Sequence, residues 1–271
     1  MDGGGERDGK IIGISDMFYL CGSGSIFAQT ETSLLYKKHT FELGGELSYI
    51  TYKEPGVLKE RGTMYGVVGS YAYHNGIMLK VEGRLTFGKL NYYASGGAPV
   101  PEYNNPDYMY EVRGLGGYDF SILKSFIVTP FLGVGYRYFN DDVHSQPYER
   151  ESYYLYSPIG IGFIIGLGKG WSVGGTGEYD YFWWGEESSH PIQVVAIEDI
   201  KSRLKDAYGL RGSIMVGKKF KRVAFEGGPF IRYWDVGRLD PTSLNVGLPI
   251  EPSWISKNRS TEVGFKLTMK F

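Results

Sequence analysis

A single cysteine, Cys21, excludes an internal disulfide and any cysteine-ligated zinc site. Long apolar runs are missing as well. A membrane-spanning helix needs roughly 18 to 20 apolar residues, and the best run extends only from Ile159 to Leu167. The chain also lacks an excess of one charge: 29 Lys and Arg face 30 Asp and Glu, which leaves no basic footprint for nucleic acid. The phosphate-cradling Walker loop and the H-E-x-x-H zinc motif are absent. The glycine-rich pieces Gly133-Val-Gly135 and Gly160-Ile-Gly162 sit inside alternating runs and serve as strand residues. No cofactor or resident metal is expected. A chain without a spanning helix can cross lipid only as a closed barrel, because only closure satisfies every backbone group.

What the chain does have points that way. Glycine, at 40 residues, is roughly twice its usual share of about 7%, and tyrosine (23) outnumbers phenylalanine (15). The final segment alternates strictly: Val263, Phe265, Leu267, Met269 and Phe271 fall on one face, and Glu262, Gly264, Lys266, Thr268 and Lys270 on the other. Period-two runs of this kind predict ten strands, at residues 40–53, 62–73, 77–92, 108–121, 126–139, 152–167, 171–184, 205–217, 222–236 and 260–271. Connections alternate between tight (74–76, 123–125, 168–170, 218–221) and long (54–61, 93–107, 140–151, 185–204, 237–259). Outer-membrane barrels have this asymmetry, and an even strand count places both chain ends on the tight-turn side. The expected fold is all-β, a transmembrane antiparallel up-and-down barrel of about 10 strands over residues 38–271. Residues 1–37 are expected to be an N-terminal tail or a remnant signal segment. The stretch Met17 to Thr30 reads as a secretory signal cleaved near Ala28, but Asp2, Glu6, Asp8 and Asp16 do not suit a positive leader.

Phase along the strands separates two walls. One collects Phe41, Leu43, Leu47, Tyr49, Tyr65, Val67, Leu79, Val81, Leu85, Leu132, Val134, Leu210 and Ile214. The other collects nearly every strand charge, including Glu42, Glu46, Glu82, Arg84, Glu111, Arg113, Arg137, Glu178, Asp180, Arg211, Glu226, Arg232 and Glu262. A soluble sandwich would bury the first wall and expose the second; a membrane barrel does the reverse. Two aromatic belts favour the membrane. One lies toward the long loops (Tyr108, Tyr110, Tyr136, Tyr138, Tyr153 to Tyr156, Tyr179 to Trp184, Tyr233, Trp234). The sparser one lies at the tight turns (Tyr71, Tyr73, Phe120, Phe126, Trp171, Phe271). The charges then fill a narrow interior as a network expected to comprise Glu82, Arg84, Glu111, Arg113, Glu178, Asp180, Arg211, Glu226 and Arg232, held together by the arginines. Interior glycines (Gly44, Gly88, Gly117, Gly160, Gly162, Gly174, Gly228, Gly264) would leave room for arginine side chains or permit sharp coiling. The terminal Phe271 resembles the C-terminal signature that outer-membrane proteins present to their insertion machinery.

Between residues 171 and 217 a strand runs into a Trp-rich tip, an acidic loop with a histidine and a return strand: Tyr181-Phe-Trp-Trp-Gly-Glu-Glu-Ser-Ser-His190, then Ile200 to Tyr208. This resembles the corresponding stretch of the omptins, ten-stranded outer-membrane proteases, and residues 150–235 carry the likeness best. The resemblance implies cleavage at basic residues by facing Asp-x-Asp and Asp-x-His pairs near the outer rim. Here His190 is the only match to the histidine. Ser188 stands where the aspartate belongs, with Glu186 and Glu187 close by, and Leu90 to Glu102 holds no aspartate pair. Activation of water needs a carboxylate or imidazole within reach. The enzyme reading therefore reduces to Glu187 and His190, and the stronger expectation is a barrel with no intact omptin site.

Asp141, Asp142 and His144 read as a solvated loop tip rather than a metal site. Residues 193–204 predict either a short amphipathic helix or the extended top of a strand. Loop and rim bases (Lys59, Arg61, Arg150, Lys201, Arg203) would suit lipopolysaccharide phosphates. The expected function is a Gram-negative outer-membrane barrel with a packed polar interior, binding ligand or lipopolysaccharide through external loops or serving an envelope-structural role. An omptin-like protease or other surface hydrolase, and a narrow pore, are the alternatives.

Overall fold

The structure, a computed structural model, describes residues 37–56, 58–94, 107–141, 148–191, 200–237, 239–241 and 257–271. Cys21, the candidate signal, Asp142 and His144 lie outside the described residues, as do 193–199. The strands are β1 (His39–Glu54), β2 (Leu58–Asn75), β3 (Ile77–Ala94), β4 (Asp107–Tyr118), β5 (Phe120–Leu123), β6 (Phe126–Asp141), β7 (Tyr148–Gly168), β8 (Trp171–Pro191), β9 (Ile200–Leu204), β10 (Tyr208–Lys219), β11 (Ala224–Val236), β12 (Leu239–Pro241) and β13 (Asn258–Lys270). There is no helix among the described residues. Three of these segments continue others. β5 extends β4 beyond a break at Asp119, β9 continues β10 past Asp206 (φ +52°), and β12 pairs with β9 as β11 pairs with β10. The result is a ten-stranded, antiparallel, up-and-down barrel, closed where β1 meets β13 and β8 meets β10.

Eight strands reach further toward the long loops than the sequence pattern indicates, and β10 and β11 do so only through β9 and β12. β2 begins at Leu58, and β8 runs on to Pro191. These extensions lack the apolar alternation that marks a lipid-facing strand, so period-two reasoning stops short of them. Within 193–204, the described part, β9, is strand and not helix.

Side chains alternate as a pleated wall requires. Phe41, Leu43, Leu47, Val67, Leu85, Leu132, Val134, Ile159, Ile161, Ile214 and Phe265 are all at least half exposed. Their neighbours in sequence point inward and are buried or half-buried. The apolar wall faces out, as lipid demands. The outer belt is thinner than the sequence suggests. Tyr154, Tyr156 and Trp234 turn inward and pack with Leu204 and Val236 into a lumen cluster. Alternation leaves only every second residue of an aromatic run for the membrane interface.

The inward glycines let neighbouring strands approach closely. A Cβ on Gly88 would sit 2.3 Å from the Thr63 carbonyl oxygen, and one on Gly228 2.0 Å from that of Ile214. At the tight-turn end, Asp119 clips three elements together. Its amide donates to the Gly76 carbonyl (2.7 Å), and its carboxylate meets His74 Nδ1 (2.8 Å) and accepts from Thr129 Oγ1 (2.7 Å).

Candidate functional site: the lumen and the long-loop rim

Strand register builds the lumen from two charged rows. Glu178, Arg211, Arg232 and Glu262 are cross-strand neighbours on β8, β10, β11 and β13. Arg84, Glu111 and Arg137 are neighbours on β3, β4 and β6. Like charges side by side, such as Arg211 and Arg232, are unfavourable within a sheet. The facing row compensates them. Arg211 donates to Glu111 on the far wall (2.8 Å) and to Asp180 (2.6 Å). Arg84 reaches Glu262 (3.1 Å), which also accepts from Ser48 (2.8 Å). Arg232 donates to Glu46 (2.9 Å) and Glu262 (3.2 Å). One layer nearer the tight turns, Arg113 bonds both Glu82 and Glu178, and Lys80 pairs with Glu82 (2.5 Å).

Of the nine residues expected in the network, eight are linked in this way. Glu226 is not. It pairs with Lys270 (2.5 Å) near the tight-turn mouth, because it sits at the tight-turn end of β11. Sequence reasoning left Glu46 and Glu262 out of the named set, although both take part. Arg137 makes no ion pair among the described residues; its guanidinium lies over the rings of Tyr154 (5.6 Å) and Trp234 (5.5 Å). The pairs cross the lumen, and buried charges repay desolvation only when so well satisfied. In a ten-stranded cylinder such side chains fill the bore.

A β-bulge shapes the long-loop end. Leu155 pairs with Trp184 and Tyr156 with Phe182, so Trp183 is an extra residue and both Trp183 and Trp184 reach the outer surface. The extra residue inverts the phase beyond it and turns Glu187 inward. There Arg150 of β7 bonds Glu54 of β1 (2.5 Å) and approaches Glu187 (3.8 Å). β1 and β7 stand on opposite sides of the ring, so this contact spans it. Arg150 therefore points into the lumen, which removes it from the rim bases assigned to lipid phosphates. Buried Glu60 and Asp107 line the same end, and Asp107 accepts from the Leu90 amide (2.9 Å).

The outer wall carries a different row. Arg259, Lys53, Lys59 and Tyr93 are in register on β13, β1, β2 and β3. Arg61 lies one outward position below Lys59, 4.7 Å over the Tyr93 ring, and donates to its hydroxyl (3.1 Å). Asp235 on β11 takes Arg259 and Lys257, each at 2.9 Å. Burial would raise the Asp235 carboxyl, but Lys257, Tyr233 and Arg259 together hold it below its ordinary value. Lys53 and Lys59 face each other with no carboxylate partner among the described residues. Lys201 and Arg203 lie apart from this row, on β9.

No protein-family model matches the chain, and no curated protein matches it in sequence. Among solved structures, the outer membrane protease OmpT from Escherichia coli superposes with a TM-score of 0.59 at 11% identity, over 87% of this chain and 96% of that one. The barrel has the omptin architecture. The toluene transporter TodX of Pseudomonas putida gives a TM-score of 0.40 at 9% identity, covering 92% of this chain and 93% of that one. The transport unit of the autotransporter AIDA-I from Escherichia coli gives 0.40 at 10%, covering 93% and 96%. Neither score supports an argument about this chain, and the OmpT likeness speaks for the fold alone.

In this omptin-like barrel the two candidate catalytic residues differ in placement. Glu187 is buried beside Arg150, while the backbone of His190 pairs with Glu149 and its side chain lies outside the described residues. The chain also carries Gly170-Trp171-Ser172-Val173-Gly174, which has serine-hydrolase spacing. Such a motif works on a strand-to-helix elbow. Here it opens β8 directly after a tight turn, with Ser172 in register with Gly217, and no elbow forms.

Proposed function

We propose that the protein is an integral barrel of a Gram-negative outer membrane, closed along its axis, that binds lipopolysaccharide phosphate at its long-loop rim. The tight turns and Phe271 then face the periplasm, where the exposed terminal aromatic suits recognition by the insertion machinery. The carrying observation is the Lys53–Lys59 pair. Two cations directly opposite each other cost stability, and these have no acid beside them among the described residues. They stand on the outer wall beyond Tyr49 and Tyr65, and aromatic belts of that kind support reading the position as headgroup depth. Arg61 and Arg259 flank them. An anionic headgroup offsets the repulsion that the fold leaves in place.

The test titrates refolded protein in non-ionic detergent with lipopolysaccharide and with the same lipid stripped of phosphate. The Lys53→Gln/Lys59→Gln variant is expected to bind at least fivefold more weakly, Arg203→Gln to bind normally, and the stripped lipid to bind poorly to all. Equal binding by the double variant would contradict the assignment. A fluorogenic peptide library rich in basic pairs, incubated in parallel, is expected to remain uncut. Cleavage lost in His190→Ala would replace the binding reading with a rebuilt protease site.

A further inference from the structure

Below the ion-pair layer the lumen is not full. A cavity of about 390 Å³ opens at the tight-turn end, within the range of roughly 300–1,000 Å³ typical of small-ligand sites. Its roof is the Lys80–Glu82–Arg113–Glu178 cluster, so the cavity is blind. Beneath the roof, Phe131, Met215 and Phe230 line it from β6, β10 and β11. At the mouth cations outnumber acids. The acids there, Glu42 and Glu226, are already taken by Lys266 and Lys270. Lys37, Lys219 and Arg222 line the opening with no carboxylate partner among the described residues; Lys37 donates only to the neutral Arg222 carbonyl (3.1 Å). An apolar wall behind a cationic mouth selects one chemical class.

We propose that this cavity binds a small amphiphilic anion, its carboxylate or phosphate held at Lys37, Lys219 and Arg222 and its apolar body against Phe131, Met215 and Phe230. The site is independent of the outer-wall lysine row and faces the opposite side of the membrane. Uncompensated mouth cations raise the local concentration of anions, and the paired roof excludes a through path. The head group comes from either an acyl acid or a phosphomonoester, and both present the same chemistry to the mouth.

Isothermal titration of the refolded full chain with hexanoate and with hexyl phosphate tests this, against empty micelles as blank and with hexylamine and inorganic phosphate as controls. The expected result is saturable one-to-one binding of at least one amphiphilic anion, and which of the two binds identifies the head group. Lys219→Gln/Arg222→Gln, on the exposed rim, should weaken binding about tenfold. Met215→Trp, which fills the cavity and leaves the mouth charges intact, should abolish it, with heat-modifiable gel mobility confirming a folded barrel. The proposal is overturned if no ligand saturates, if hexylamine binds as tightly, if inorganic phosphate alone equals hexyl phosphate, or if both variants bind like the parent.

Discussion

Arg84 and Leu85 are adjacent in the chain and live in different solvents. Arg84 is 8% exposed and bonded to Glu262 inside the lumen; Leu85 is 50% exposed on the outer wall. The same contrast runs around the ring and teaches that the two walls are governed by different terms. Outside, the requirement is only that nothing charged meet lipid. Inside, each group depends on named partners across the bore.

The largest expected effect breaks the inner wall. Glu262→Leu leaves Arg84 and Arg232 to share the single carboxylate of Glu46, at 3.6 and 2.9 Å, and removes the acceptor of Ser48; it is expected to cost about 3–5 kcal/mol in urea unfolding from lipid vesicles. Leu85→Arg, one register step from Arg84, places a charge on the lipid side and should cost about 2–4 kcal/mol, falling if moved toward either belt. If Leu85→Arg were the costlier, lipid exclusion rather than lumen pairing would dominate stability.

Two glycines sharpen the comparison further. Inward Gly88 has no room for a methyl group, whose Cβ would meet the Thr63 carbonyl at 2.3 Å and Met64 at 2.5 Å. Gly88→Ala should therefore cost about 1–3 kcal/mol. Outward Gly114 meets nothing within 4 Å, and Gly114→Ala should gain about 0.4–1 kcal/mol through the unfolded chain. The smallest cost belongs to the rim above both walls. Asp235→Asn should cost about 1 kcal/mol: its own carboxylate is covered, but its partners Lys257 and Arg259 are half exposed and screened. Because the folded carboxyl is held low, its contribution is complete above about pH 4 and fades as the pH falls through the lowered folded value; added salt should shrink it.

The walls differ in legibility too. Strand number, outward phase and the tight turns follow from period-two alternation, because lipid imposes a rule on every second residue. The network members were visible as charges, but their partners were not. Arg211 meets Glu111 and Arg84 meets Glu262 only through barrel curvature and register, which lie outside local sequence. That Glu226 pairs with Lys270 near the tight-turn mouth is hidden for the same reason: phase gives the face and not the depth. The bulge at Trp183 hid the inward turn of Glu187, and its one signal is the doubled tryptophan interrupting alternation. Arg150 reads as a rim cation in the sequence, and only closure of the ring sets it across the lumen from Glu54. The Lys53–Lys59 pair could not be read from spacing, since it depends on the register of a hairpin whose turn begins at Pro55.

The central claim is that ion pairs crossing the lumen close the barrel. Single-channel recording of the refolded wild-type protein in planar lipid bilayers tests it most directly. The expected result is a membrane with no ohmic conductance steps after insertion is verified. Large, stable, ohmic steps from the wild-type chain would contradict it.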